Sequence, residues 1–262
     1  MAAPLAPAVR AQVAELVDAQ VSGTCGRKVV EVRVFSWAPT RSKQVAAVTQ
    51  FQPDATIHLH RNDLPEGLSF GPMVAVDTET MGLNPHRDRL CLVQLSAGNG
   101  VAHLVQMVPE RMGGRGADCP NLRRLLADPE VVKLMHFARF DVAILAKALG
   151  VRVAPVRCTK IASKLARTFT DRHGLKELCR ELLGVDLAKQ QQTSDWGAAE
   201  LLPEQLAYAA SDVLHLHALW MKLEALLARE GRRELAEACF AFLPERAALD
   251  LLGYEEPDLF AH

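Results

Sequence analysis

Residues 74–79 read Val74-Ala75-Val76-Asp77-Thr78-Glu79, an apolar run that ends on two acids. Side chains alternate across a strand, so Asp77 and Glu79 project from one face and Thr78 from the other. Further along, Val131-Val132-Lys133-Leu134-Met135 reads as a second strand and leads into His136-Phe137-Ala138-Arg139-Phe140-Asp141. The next stretch, 142–150, reads as a helix closed by Gly150. Asp141 therefore sits at a strand-to-helix junction, where an acid is either a helix N-cap or a group facing a site on the sheet edge. A third stretch, Tyr208-Ala209-Ala210-Ser211-Asp212, lies in a strongly helical segment. Residues i and i+4 share a helix face, so Tyr208 and Asp212 can point at one spot.

Other segments fill in the sheet. Thr56–His60 alternates like a short strand, and 90–95 and 101–105 read as two more. The Gly98-Asn99-Gly100 turn between the last two argues for an antiparallel hairpin. Helices alternate with the strand near 131–136, which gives an α/β fold with a mixed sheet flanked by helices. Pro203–Glu230 reads as one long helix with Pro203 near its first turn. Its apolar positions (Leu206, Ala210, Val213, Leu216, Leu219, Trp220 and their neighbours) are expected in the core. No internal repeat is visible.

The chain has 262 residues, 49% hydrophobic and 23% charged, enough for one sizeable domain with appendages. No apolar stretch is long enough to span a membrane, and the first residues lack the layout of a secretory signal. Six cysteines are scattered without a Cys-x-x-Cys pair. Reduced thiols in a cytoplasmic protein are the expectation. His215 and His217 do not share a helix face and make a poor metal pair. Net charge is −1, so no global basic field draws in nucleic acid. Residues 1–50 differ, with six Lys/Arg against three acids. Residues 1–55 are expected to form a poorly structured extension. Stretches 14–23 and 30–36 look like a translated transfer-RNA gene, which implies a start placed too far upstream; the alternative is a loosely ordered basic arm.

Four acids and one phenol in this order suit phosphodiester hydrolysis with two divalent cations. Cations held roughly 3.5–4 Å apart need several hard oxygen ligands. Taken singly, each motif has a plainer explanation: solvated acids, an N-cap, or a packed Tyr beside an exposed acid. Their order and the apolar runs before two of them speak for a shared site.

At these residues the chain resembles the DEDD superfamily of 3′–5′ exonucleases, in the subgroup with a tyrosine in its third motif, and is most similar to ribonuclease D. The resemblance covers roughly residues 56–225 and takes in Asp77-Thr78-Glu79-Thr80-Met81-Gly82-Leu83, Gly174-Leu175-Lys176-Glu177-Leu178, Leu183-Gly184-Val185 and Ser194-Asp195-Trp196. Phe137 departs from it, since many members carry Asn four residues before the second-motif acid. The resemblance implies a ribonuclease-H-like fold and two divalent cations, Mg²⁺ or Mn²⁺. Asp77 would bridge the two cations, Glu79 and Asp212 would complete the shell of the first, and Asp141 would act on the second. Tyr208 would orient the attacking water, and Glu79 could also accept a hydrogen bond from the terminal 3′-hydroxyl. Leu83 would wedge against a terminal base, or else plug the core as a turn residue.

The implied activity releases nucleoside 5′-monophosphates from single-stranded RNA 3′ ends, transfer-RNA precursors included, with no obligate protein partner. A DNA exonuclease is the runner-up, and a binding module that has lost catalysis is the rival from another class. Residues 56–230 are expected to form the exonuclease domain, and 231–262 a helical tail too short for an accessory RNA-binding domain. One basic stretch, 157–180, has Thr159 as a plausible N-cap. It places Lys160, Lys164 and Arg167 on one helical stripe, beside a core-facing arc of Ile161, Leu165 and Phe169. That stripe reads as a phosphate track leading to the metals, or as a solvated face.

Overall fold

The computed structural model describes residues 55–112, 114, 117–187, 191, 193–255 and 259. Apart from Ala55, the segment expected to be an N-terminal extension lies outside the described residues. The strands are β1 (Thr56–Arg61), β2 (Met73–Thr80), β3 (Leu90–Ser96), β4 (Val101–Gln106), β5 (Val132–Met135) and β6 (Val156–Cys158). The helices are α1 (Pro120–Ala127), α2 (Ala138–Leu149), α3 (Thr159–Ala166), α4 (Leu175–Leu178), α5 (Pro203–Leu214), α6 (Leu216–Arg229) and α7 (Arg233–Leu251), and α4 runs directly into a π-helical turn, Cys179–Leu183.

One six-stranded sheet runs in the order β1-β4-β3-β2-β5-β6. The hairpin expected from Gly98-Asn99-Gly100 joins β3 to β4 in antiparallel register, Gln94 opposite Leu104. Gly98 and Gly100 take φ of +75° and +82°, a region that side chains resist. β2 pairs antiparallel with β3 on one side and parallel with β5 on the other. Every residue of β3 is buried, so both sheet faces are covered. α5 lies over β2, β3 and β4, while α2 touches β3 and β6 and carries α7 on its back. The sheet is therefore mixed and flanked by helices, as expected.

Three expectations change. The helix predicted over 203–230 breaks at His215. The break turns the chain from the sheet, where α5 lies, to α3, where α6 packs. His217, just past it, anchors to the Met73 carbonyl at 3.1 Å. α2 starts at Ala138, so Asp141 belongs to its first turn and is not the N-cap; Phe137 occupies that position in a left-handed conformation, φ 60°. Thr159 is the first residue of α3 and caps nothing. Its buried hydroxyl donates to the Met135 carbonyl at 3.3 Å and meets His136 Nδ1 at 2.9 Å.

Helix α7 falls in the segment read as a tail, and it packs against α2, β6, α3 and α6 through buried Ala236, Phe240, Leu243 and Ala247. Arg139 of α2 holds Asp250 of α7 through two hydrogen bonds, 2.6 and 2.8 Å. His86 reaches the Asp250 carbonyl at 3.1 Å. Fully buried Lys133 donates to the carbonyls of Asp128, Val131 and Ala154 at 2.5–2.7 Å. No helix among the described residues is long and apolar enough to cross a membrane.

Candidate active site

The acids of the first and third stretches meet at the end of β2. Carboxylate oxygens of Asp77, Glu79 and Asp212 lie within 4.8 Å of one another. Alternation along β2 presents the first two, and α5 lowers Asp212 onto them across the sheet. The β2–β3 register slips between Glu79 and Thr80, so regular pairing ends where the acids stand.

Asp141 enters from the first turn of α2 and is 4% exposed. Thr78, lying between the two strand acids, donates its hydroxyl to Asp141 Oδ1 at 2.6 Å. The sequence reading placed Thr78 on the opposite face and gave it no role; its bond spans 63 positions of the chain and leaves no local signal. Tyr208 stands one helical turn before Asp212, and the Asp212 carboxylate acts on its phenol. Its ring tilts against buried Trp196, with centroids 6.1 Å apart. Gln205 ties this corner together: its Oε1 accepts from the Leu202 amide at 2.9 Å, and its Nε2 donates to the Asp195 carbonyl at 3.2 Å.

The electrostatics are one-sided. Burial, then the charges of Asp141, Asp212 and Glu79, push the Asp77 carboxyl well above the ordinary range. Burial, then Asp212 and Asp141, raise Glu79 to about 9. Asp141 is raised by burial to about 7, and Asp212 by burial and Asp141 to about 7. Tyr208 is also raised, first by burial and then by Asp212. None of the causes acting on these acids is a positive charge. Four hard oxygen donors crowded together, with no cationic side chain acting on them among the described residues, form a donor set that fits divalent cations such as Mg²⁺ or Mn²⁺.

The outlying candidates divide. Leu83 is 84% exposed in the loop after β2, so it is not a core plug. Beside that loop an open groove of about 380 Å³ is lined by Met81, Arg87, Asp88, Arg89, Asp195 and Gly197. Lys164 is exposed, and Lys160 Nζ sits 4.0 Å over the Phe137 ring. Arg167 does not join them. α3 ends at Ala166, and Arg167 turns inward to pair with Glu181 and to donate to the Arg172 carbonyl at 3.0 Å. Phe169, expected toward the core, is 78% exposed, with the Arg167 guanidinium 5.6 Å from its ring. The stripe therefore reduces to two lysines.

Known proteins share this arrangement of elements. The family described as 3′–5′ exonuclease matches residues 49–228. Ribonuclease D of Gluconacetobacter diazotrophicus is 35% identical over 198 residues, which cover 74% of this chain and 49% of that protein. Ribonuclease D of Acidiphilium cryptum is 37% identical over 169 residues, 64% of this chain and 41% of that one. The chain thus spans about half the length of these curated relatives or less. Among solved structures, Brucella melitensis NrnC is 57% identical with a TM-score of 0.75, over 80% of this chain and all of NrnC. Escherichia coli RNase D, an exoribonuclease involved in structured RNA processing, is 25% identical with a TM-score of 0.58, over 67% of this chain and 45% of RNase D. With the matched span taking in β1 to α5 and every acid of the cluster, the chain belongs to the 3′–5′ exonuclease family.

Proposed function

We propose that the protein is a metal-dependent 3′–5′ exoribonuclease that shortens RNA from its 3′ end and releases nucleoside 5′-monophosphates. The observation that carries this reading is the convergence of Asp77, Glu79 and Asp212 within 4.8 Å, with Asp141 held beside them by Thr78. Brucella melitensis NrnC has been solved with bound Mg²⁺ and bound to pGG. The substrate class we carry over is RNA with a free 3′ end, from short oligonucleotides to transfer-RNA precursors. The free cysteines among the described residues suit a reducing compartment, and we place the protein in the cytoplasm.

Asp77 feels the charge of each of the other three acids and would help to hold both cations. Glu79 and Asp212 would hold one of them, and Asp141 the other. When bound, the pair supplies an activated water and stabilises the charge that develops on the leaving 3′ oxygen. Thr78 fixes the Asp141 carboxylate, so that acid need not reorganise as the substrate arrives. Tyr208, its phenol pushed up by burial and by Asp212, stays protonated at working pH and can hold the attacking water by a hydrogen bond. Exposed Leu83 would stand against the terminal base, and exposed Lys164, with Lys160 from its place over the Phe137 ring, would neutralise backbone phosphates.

The test is cleavage of 5′-labelled RNA and DNA, from dinucleotides to transfer-RNA length, with Mg²⁺ or Mn²⁺. The expected result is stepwise loss from the 3′ end, faster on RNA, with 5′-monophosphate products and arrest by chelator. Internal cuts, or no cleavage with either metal, would overturn the reading.

A further inference from the structure

We propose that Phe137 is a stacking platform for the penultimate nucleobase of the substrate strand, the one whose 3′ oxygen leaves, with Lys160 as its charged backing. The inference rests on the exoribonuclease reading and adds a specificity-determining residue to it. Phe137 takes φ 60° and ψ 39° at the N-cap of α2. For a bulky residue this is an outlier, and such strain persists where the surroundings enforce it, often at ligand-contacting positions. Phe137 is 51% exposed, so core burial does not account for a phenylalanine there. Glycine or asparagine would adopt the same backbone at lower cost.

Phe137 lies four residues before Asp141, one helical turn from the acid assigned to the leaving-group side. Lys160 Nζ covers one face of the ring at 4.0 Å. Among the described residues no aromatic ring stacks on the other face. A half-exposed ring backed by an ammonium, four residues before one acid of the cluster, fits a flat base joined to a phosphate. Stacking tolerates any base, so the platform sets the position of the strand and not its sequence.

The experiment compares full-length Phe137→Asn, Phe137→Leu and Phe137→Trp with the wild type. Tm is measured, along with kcat and KM on a 5′-phosphorylated dinucleotide. Quenching of 2-aminopurine at the 5′ nucleotide is read in an Asp77→Asn background with metal present. Phe137→Asn should raise Tm by ~2–4 °C, because the left-handed backbone is easier for asparagine. It should also raise KM about five- to a hundred-fold, leave kcat nearly unchanged and abolish the quenching. Phe137→Leu should match it in KM and quenching without the gain in Tm. Phe137→Trp should keep both KM and quenching. Wild-type KM and quenching in Phe137→Leu, or a fall in Tm in Phe137→Asn, would reduce Phe137 to a packing residue. A wild type that cleaves no RNA would remove the underlying reading first; an active wild type matched by Phe137→Leu would remove only the platform.

Discussion

Asp212→Asn should destroy exonuclease activity and at the same time make the ion-free protein more stable. Burial and the neighbouring Asp141 raise the Asp212 carboxyl from 3.8 to about 7. A carboxyl raised in the fold adds full stability only below its unfolded value, and that stability is lost as pH climbs through about 7. At about 1.4 kcal/mol per tenfold change in proton affinity, the ionised side chain costs the fold ~4 kcal/mol. Relaxation and entering water should leave roughly half of this. For a folded unit of this size that is a gain of ~4–8 °C in Tm for Asp212→Asn. Asparagine keeps the shape of the side chain, so little packing is lost in exchange. Thermal unfolding followed by circular dichroism in chelator, at about pH 4 and about pH 8, tests the sign. The mutant should lead at the higher pH and the two should converge at the lower one. Millimolar Mn²⁺ should close the gap at high pH by stabilising the wild type more. Equal Tm values at about pH 8, or a wild-type stability flat across the range, would refute the reasoning.

Thr78→Val removes the hydroxyl that holds Asp141 and should lower kcat by about 10–100-fold with RNA binding retained, measured under single turnover. Lys160→Gln with Lys164→Gln should flatten the salt dependence of RNA binding by roughly two units of log–log slope; Arg167→Gln should leave the slope alone and lower stability by ~2 kcal/mol in urea titrations, because it takes a buried guanidinium away from Glu181 and from the Arg172 carbonyl. Lys133→Met should cost about 3 kcal/mol by leaving three carbonyls without their donor, and a mutant as stable as wild type would show those acceptors reach water. Gln94 lies opposite Asp77 with both amide atoms buried and, among the described residues, without a hydrogen-bond partner; Gln94→Met should raise Tm by a few degrees, ~1 kcal/mol, and an unchanged or lower Tm would mean the amide is satisfied.

What could be read from the chain was what depends on short-range periodicity. Alternation at Asp77 and Glu79, the helical spacing of Tyr208 and Asp212, and the glycine turn before β4 are all set within a few residues. The break at His215 carries no such mark, because apolar positions continue on both sides and no glycine or proline intervenes. The basic stripe failed for a related reason. Lys160, Lys164 and Arg167 keep perfect helical spacing, and only the early end of α3 turns the third of them inward. Thr78 and Asp141 find each other across two elements, and Phe137 takes a backbone conformation that its residue type argues against. Neither is a local property.

The Asp250 contact has a practical side for anyone handling this protein. One carboxylate near the end of α7 grips Arg139, two positions from Asp141, while the backbone carbonyl of the same residue receives His86 from the loop that bears Leu83. A stop codon or a protease nick just ahead of Asp250 would spare every acid of the cluster and still unfasten two of its supports. Affinity tags are better joined beyond this residue than spliced in before it, and a preparation trimmed at its C-terminal end should be judged by intact mass before its activity is believed.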